Sequence, residues 1–289
     1  MRIPMNIIEI LKAFLFGIVE GITEWLPVSS TGHMILLNEI MPLKVSEEFY
    51  EVFEVVIQLG AIMAVVVLFW NQIWPFGKKD NDCPMTERGI LSWVKWDKFI
   101  LWVKIMIACV PAAVVGILFD DVFNALFYNY VSVSIALIVF GAAFIFIEIW
   151  RRGRKARIRR LDALDYRTVL LIGVFQVLAA IFPGTSRSGA TIVGALLLGV
   201  SRTVAAEFTF FLAIPVMFGA SLLKLIKFEG VMVISEFALL VVGMLVAYVV
   251  SVLVIKFLMG YIRKHDFKVF GWYRIVLGLA VLAYFLIAG

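Results

Sequence analysis

The sequence predicts an all-α polytopic membrane protein folded as an inverted repeat, each half a re-entrant broken-helix hairpin plus three transmembrane helices. Three observations carry that reading. Of 289 residues, 63% are hydrophobic and mean hydropathy is +1.02, against roughly half apolar in a soluble domain. Six long apolar runs alternate with charged loops. Two stretches of similar design, each broken at a proline, lie half a chain apart, and between them they hold carboxylates, hydroxyls and an arginine where the surroundings are hydrocarbon.

The first stretch, residues 17–33, reads Gly-Ile-Val-Glu-Gly-Ile-Thr-Glu-Trp-Leu-Pro-Val-Ser-Ser-Thr-Gly-His. Glu20 and Glu24 are spaced four apart, so a helix puts both carboxylates on one face, where they repel unless a cation or a shared proton lies between them. Pro27 ends that helix, Ser29, Ser30 and Thr31 favour caps and turns, and the apolar run resumes at Met34. The partner, residues 173–191, reads Gly-Val-Phe-Gln-Val-Leu-Ala-Ala-Ile-Phe-Pro-Gly-Thr-Ser-Arg-Ser-Gly-Ala-Thr. At a constant offset Gly17 falls on Gly173, Glu20 on Gln176, Pro27 on Pro183, Ser29 on Thr185 and Ser30 on Ser186. The second copy lacks both carboxylates, so a site assembled from the two is asymmetric.

Full spans are expected at about 55–70, 99–119, 131–150, 205–226, 237–257 and 270–288. An acidic stretch (Glu39, Glu47, Glu48, Glu51, Glu54) precedes the first. Lys78, Lys79, Arg88, Lys95 and Lys98 mark the 71–98 loop, the run 151–160 is the densest in arginine, and Arg263, Lys264 and Lys268 mark a third basic loop. The positive-inside rule places all three in the cytoplasm. Asp120 and Asp121, in a loop without Lys or Arg, then lie outside. This count closes only if both broken helices leave the membrane on the side they entered, the first from outside and the second from the cytoplasm. The chain is one integral membrane domain, with repeats at about 1–150 and 161–289 joined by the linker 151–160.

The N-terminus does not read as a cleavable signal, because Lys12 interrupts the apolar run and glutamates stand where small residues belong. Cys83 and Cys109 form neither a disulfide framework nor a ligand cluster. A net charge of +5 with pI near 9.2 reports orientation and anionic lipid in such a chain, not nucleic acid.

The segment Pro183-Gly184-Thr185-Ser186-Arg187-Ser188-Gly189 is small, turn-prone and rich in donors, and it runs into an apolar helix expected near Ala190. A half-helix N-terminus binds anions. Arg187 adds a bidentate fork suited to phosphate, and Ser186, Ser188 and Thr191 add hydroxyls, with Ser29 and Thr31 available from the first copy. Glu20 and Glu24 can hold a divalent cation, or one can be a general base; the alternative is a proton-sharing pair or relay. His33 can act as acid, base or nucleophile, and Ser30 as nucleophile or phosphate donor. The residues alone also admit a transporter or flippase of an anionic lipid, since inverted repeats with broken helices are common there.

Glu20-Gly-Ile-Thr-Glu24, Leu26-Pro-Val-Ser-Ser-Thr-Gly-His33 and Pro183-Gly-Thr-Ser-Arg-Ser-Gly-Ala-Thr191 closely resemble the two signatures of the bacterial undecaprenyl pyrophosphate phosphatases, the bacitracin-resistance family. The likeness extends to Phe53-Glu-Val-Val-Ile-Gln-Leu-Gly-Ala61 and Ala206-Glu-Phe-Thr-Phe-Phe-Leu-Ala213. It implies a bacterial inner-membrane enzyme that removes the terminal phosphate of undecaprenyl pyrophosphate, recycling the lipid carrier for cell-wall synthesis. It also implies catalytic roles for Glu20, Glu24, Ser30, His33 and Arg187, phosphate contacts from Ser186 and Thr191, and a divalent cation, Mg2+ or Ca2+, at Glu20 and Glu24. A homodimer is compatible with this reading, and the site is expected to open to the extracytoplasmic side.

Overall fold

The computed structural model describes residues 7–78, 81–127 and 129–288; Lys79 of the first basic loop lies outside them. Among the described residues the secondary structure is helical, with a few isolated β-bridges. The broken stretches are α1 (Ile7–Thr23) with α2 (Ser30–Ile40), and α7 (Tyr166–Ile181) with α8 (Arg187–Leu197). Six helices are long and apolar enough to cross a membrane: α3 (Glu47–Leu68), α5 (Trp96–Phe127), α6 (Tyr130–Trp150), α9 (Arg202–Lys227), α10 (Ile234–Ile262) and α11 (Lys268–Ala288). A short α4 (Trp70–Ile73) and a 3-10 turn at Ile90–Trp93 lie between α3 and α5.

Several boundaries differ from those expected. Glu47, Glu48, Glu51 and Glu54 belong to α3 itself, because Ser46 caps it through the Phe49 amide at 3.2 Å and acidic side chains favour a helix N-terminus. α5 runs on to Phe127, so Asp120 and Asp121 are helical rather than in a loop; the next cap is Asn129, which accepts from Ser132 N–H at 2.9 Å to start α6. α8 begins at Arg187, three residues before the apolar run. Asp165 caps α7 through the Thr168 amide at 2.6 Å, and that contact holds its carboxyl below the usual value.

The helices pair in a pattern that repeats between halves. α1 packs on α10 and α7 on α5; α3 packs on α10 and α9 on α5; α6 lies against α11 and α3 against α9. Glycines permit the close approaches. A Cβ at Gly17 would sit 2.6 Å from the Gly243 carbonyl oxygen, and Gly173, its counterpart, meets the Ala108 carbonyl in the same way. α6 and α11 cross antiparallel and reciprocally: a Cβ at Gly141 would lie 2.7 Å from Gly271 O and 2.8 Å from the Ile275 side chain, and a Cβ at Gly271 would lie 2.7 Å from Gly141 O and 2.8 Å from Ile145.

Contacts at the helix ends sort the connections into two groups. Glu9, in the first turn of α1, accepts from the Lys44 amide at 2.9 Å, and Lys12 donates to Pro42 O, so the entry of α1 meets the exit of α2. Leu43 and Val45 pack there with Phe228 and Met232. Elsewhere the Arg157 amide donates to Gly199 O at 2.9 Å and Ile158 bridges to Val200, so the approach to α7 meets the exit of α8. Arg151 donates to Leu196 O and Val200 O. Phe267 N–H donates to Glu148, which places the α10–α11 connection in this second group.

Candidate active site

Both breaks are built alike at the backbone. Ser29 caps α2 at φ 74°, accepting from Gly32 N–H at 3.4 Å; Ser186 caps α8 at φ 68°, accepting from Gly189 N–H at 3.2 Å. These are the two non-glycine residues with positive φ among the described residues. Each costs on the order of 1–3 kcal/mol and persists where surrounding structure imposes it, typically at functional sites. The shared conformation corrects the alignment by one residue. Ser29 corresponds to Ser186, not Thr185, and Ser30 to Arg187, because the second break holds one more residue between proline and cap, with Gly184 at φ 89° absorbing the extra step.

The two helix N-termini meet on one carboxylate. Glu24, directly after α1 and nearly buried, accepts from Arg187 Nη2 at 2.8 Å through Oε1 and from Ser30 Oγ at 2.9 Å through Oε2. Ser30 and Arg187 are the first residues of α2 and α8. Ser188 Oγ donates to the Glu24 carbonyl at 3.3 Å, and Arg187 Nη1 donates to Thr209 O at 3.0 Å. Thr191 is buried against its own helix, donating to Arg187 O and pairing with Thr209 Oγ1 at 2.9 Å. Ser186 and Ser188 share a hydrogen bond at 3.0 Å, and Thr31 is half-buried in the first turn of α2.

Glu20 is fully buried, and neither carboxylate oxygen has a hydrogen-bond partner among the described residues. The carboxylates of Glu24 and Glu54 and the guanidinium of Arg187 lie within electrostatic range of it. Gln176, its counterpart, is buried with both amide atoms unpaired, and Thr185 Oγ1 is likewise unpaired. A buried carboxylate with open oxygens, such as that of Glu20, is the donor type a divalent cation takes, whereas both oxygens of Glu24 are already engaged by Ser30 and Arg187. No cluster of three or more His, Cys, Asp or Glu exists among the described residues, so phosphate or water oxygens would supply the remaining ligands, as is usual for Mg2+.

His33 is drawn towards α11. Its Nδ1 is 2.7 Å from Ser29 O, and its Nε2 is 2.7 Å from the Tyr273 hydroxyl, with the rings stacked at 5.6 Å. A carbonyl only accepts, so Nδ1 carries the proton in the neutral ring, and Tyr273 donates to Nε2. Next to Tyr273, the fully buried Arg274 donates to Pro27 O at 3.3 Å in the first break and to Gly184 O at 2.9 Å and Thr185 O at 2.7 Å in the second. The sequence reading found neither residue. A lone arginine inside an apolar span was the available signal for Arg274; Tyr273 carries none, since an aromatic in a span is unremarkable.

The family model described as bacitracin resistance protein BacA matches residues 13–280. A protein of Desulfitobacterium hafniense named undecaprenyl-diphosphatase is 60% identical over 97% of this chain and 98% of its own. One of Clostridium acetobutylicum named undecaprenyl-diphosphatase 1 is 60% identical over 98% of this chain and all of its own, and an undecaprenyl-diphosphatase of Acetivibrio thermocellus is 56% identical over 96% and 98%. With both signatures brought together and the match covering five candidate spans and entering the sixth, this chain belongs to the bacitracin resistance protein BacA family.

Proposed function

We infer that this protein is a membrane-embedded undecaprenyl-diphosphatase, releasing inorganic phosphate from undecaprenyl diphosphate and leaving undecaprenyl phosphate. The observation that carries the reading is the convergence of Ser30 and Arg187 on Glu24, at 2.9 and 2.8 Å. It sets a hydroxyl, a base and a phosphate-binding fork side by side at two helix N-termini. The transporter alternative gains nothing from the relatives, which are named for a hydrolase.

In this reading Arg187 turns its planar donors to the terminal phosphoryl oxygens, and the amides at the starts of α2 and α8 take up developing negative charge. Glu24 Oε2 receives the proton of Ser30 Oγ, whose oxygen attacks the terminal phosphorus; the bridging P–O bond breaks, and undecaprenyl phosphate departs with the electron pair. Water then hydrolyses the phosphoserine. A divalent cation on Glu20 and Glu24, when bound, supplies charge that offsets the phosphate oxygens. His33, held by Tyr273, is placed as a proton donor or acceptor at the edge of the site.

The finer architecture proposed is the inverted repeat. It is supported by the entry of each broken helix meeting its own exit, and by α6 and α11 crossing antiparallel about reciprocal glycines, as a two-fold axis in the membrane plane requires. With the arginine-rich linker inside, the connection after α2 faces outward, and the site opens with the carboxylate-bearing first break to the extracytoplasmic side. The isoprenyl tail leaves between helices into lipid.

Purified protein in detergent, which has no second compartment, is expected to release phosphate from undecaprenyl diphosphate with added Mg2+ or Ca2+. No release with either cation would remove the hydrolase reading. Oriented vesicles given a water-soluble short-chain diphosphate test the sidedness: turnover is expected from the extracytoplasmic face, and turnover confined to the cytoplasmic face would reverse the orientation.

A further inference from the structure

Arg274 is a buried cation in a membrane-spanning helix for which no carboxylate partner exists among the described residues. Its guanidinium is consumed by carbonyls of both breaks, Pro27 on one side and Gly184 and Thr185 on the other, while Nε has no partner. It also borders the start of α8, since a Cβ at Gly189 would sit 2.8 Å from Nη1. Three positions along α11 from the Gly141–Gly271 crossing, it occupies a slot whose counterpart on α6 is the apolar Phe144. One cation near the centre therefore serves both halves.

Carbonyls engage Nη1 and Nη2 and leave Nε open; they bring no compensating charge, and an isolated buried charge is costly. Intramembrane ionisable residues mark substrate and ion paths, and an anion bound between the two breaks would balance this charge. The carbonyls it grips lie one or two residues before the two cap serines, so its position sets the separation and aim of the amides that begin α2 and α8.

We propose that Arg274 is a positioning and charge-balancing residue of the diphosphate site, holding the two breaks in register and supplying positive charge that a bound diphosphate matches. The proposal rests on the phosphatase reading and deepens it by adding a residue on α11 that neither signature contains. It separates two properties of the side chain. Neutral Arg274→Gln keeps donors but loses charge, whereas Arg274→Lys keeps the charge and loses the fork.

The test measures inhibition by methylene diphosphonate, a diphosphate that is not hydrolysed, together with kcat, KM and the thermal midpoint of each purified variant. Arg274→Gln is expected to raise the diphosphonate inhibition constant at least tenfold and lower kcat about a hundredfold. Arg274→Lys is expected to recover the inhibition constant to within about threefold of the unmodified protein while kcat stays low. A purely structural arginine predicts otherwise: both variants melt earlier, and the inhibition constant of the folded protein is unchanged, which would overturn the proposal. Should the glutamine chain not fold, the lysine chain decides alone, a tenfold rise in its inhibition constant counting against the charge role. Direct binding of methylene diphosphonate, measured by calorimetry on the same three proteins, needs no turnover, so an unmodified protein that binds it without releasing phosphate, with binding weakened in Arg274→Gln and kept in Arg274→Lys, would unseat the hydrolase reading and not this one.

Discussion

The Tyr273 hydroxyl and His33 Nε2 are 2.7 Å apart, and with Nδ1 bound to Ser29 O both nitrogens of the imidazole are engaged. In the proposed reaction His33 would act through Tyr273, whose hydroxyl can donate to the neutral ring and accept from the charged one. Tyr273→Phe keeps the stacked ring and deletes the bond. A net hydrogen bond contributes about 1 kcal/mol, so kcat should fall about fivefold with KM nearly unchanged. Full activity in phosphate-release assays of the variant would separate Tyr273 from the chemistry.

Glu20→Gln is a substitution the protein has already made in its other half, where Gln176 is buried in the matching place. The fold should accept it, with a thermal midpoint close to that of the unmodified protein. Activity should drop about a hundredfold, the scale of a lost acid–base or charge-stabilising group. Retained turnover would show that the open carboxylate of Glu20 has no part in catalysis.

Arg187→Lys should fail for a geometric reason. The guanidinium reaches Glu24 with Nη2 and Thr209 O with Nη1, a spread that one ammonium does not span. The loss of a bidentate charged contact is on the order of 2 kcal/mol, about thirtyfold in kcat/KM. Near-normal kinetics in the lysine variant would mean that charge alone suffices.

Packing makes a paired prediction. Gly17→Ala drives a methyl onto the Gly243 carbonyl at 2.6 Å, and backbone has little room to yield; the cost should be about 1–3 kcal/mol. Gly116→Ala in α5 meets nothing within 4 Å and should stabilise by about 0.5–1 kcal/mol. Thermal unfolding in one detergent compares them, and midpoints moving in the same direction would contradict the tight α1–α10 contact.

Sidedness can be read with single cysteines in a background lacking Cys83 and Cys109. Asn129→Cys, at the start of α6, and Lys155→Cys, in the arginine-rich linker, are both on exposed residues and should react with an impermeant thiol reagent from opposite faces of the membrane. Reaction from one face would break the proposed topology.

Much of this architecture was legible because bilayer constraints leave few options. Apolar length announces a span, and a proline followed by small polar residues announces a break, so six spans and two broken helices could be read before any coordinate. What escaped was what depends on φ and on side-chain reach. Pro27-Val-Ser-Ser and Pro183-Gly-Thr-Ser align without a gap by letter; only the left-handed caps at Ser29 and Ser186 reveal the extra residue. The meeting of Ser30, Arg187 and Glu24 was anticipated as a shared site but not as one carboxylate accepting from both helices. Arg274 and Tyr273 went unseen because their partners lie roughly 90 to 250 residues away in the chain.

The pairing of each broken helix with a span of the opposite half has a consequence for how the protein is made. α1 leaves the ribosome among the first helices, yet the face of α10 that its Gly17 and Gly21 pack against is encoded more than two hundred residues later. Until then the segment bearing Glu20 and Glu24 has α2 and α3 beside it but not its main packing partner, and contacts between distant parts of a chain form slowly. α7, by contrast, finds α5 already in place. The second hairpin can dock as it is synthesised, while the one bearing the carboxylates waits for α10, so the two halves of a duplicated fold close in opposite orders relative to their partner spans.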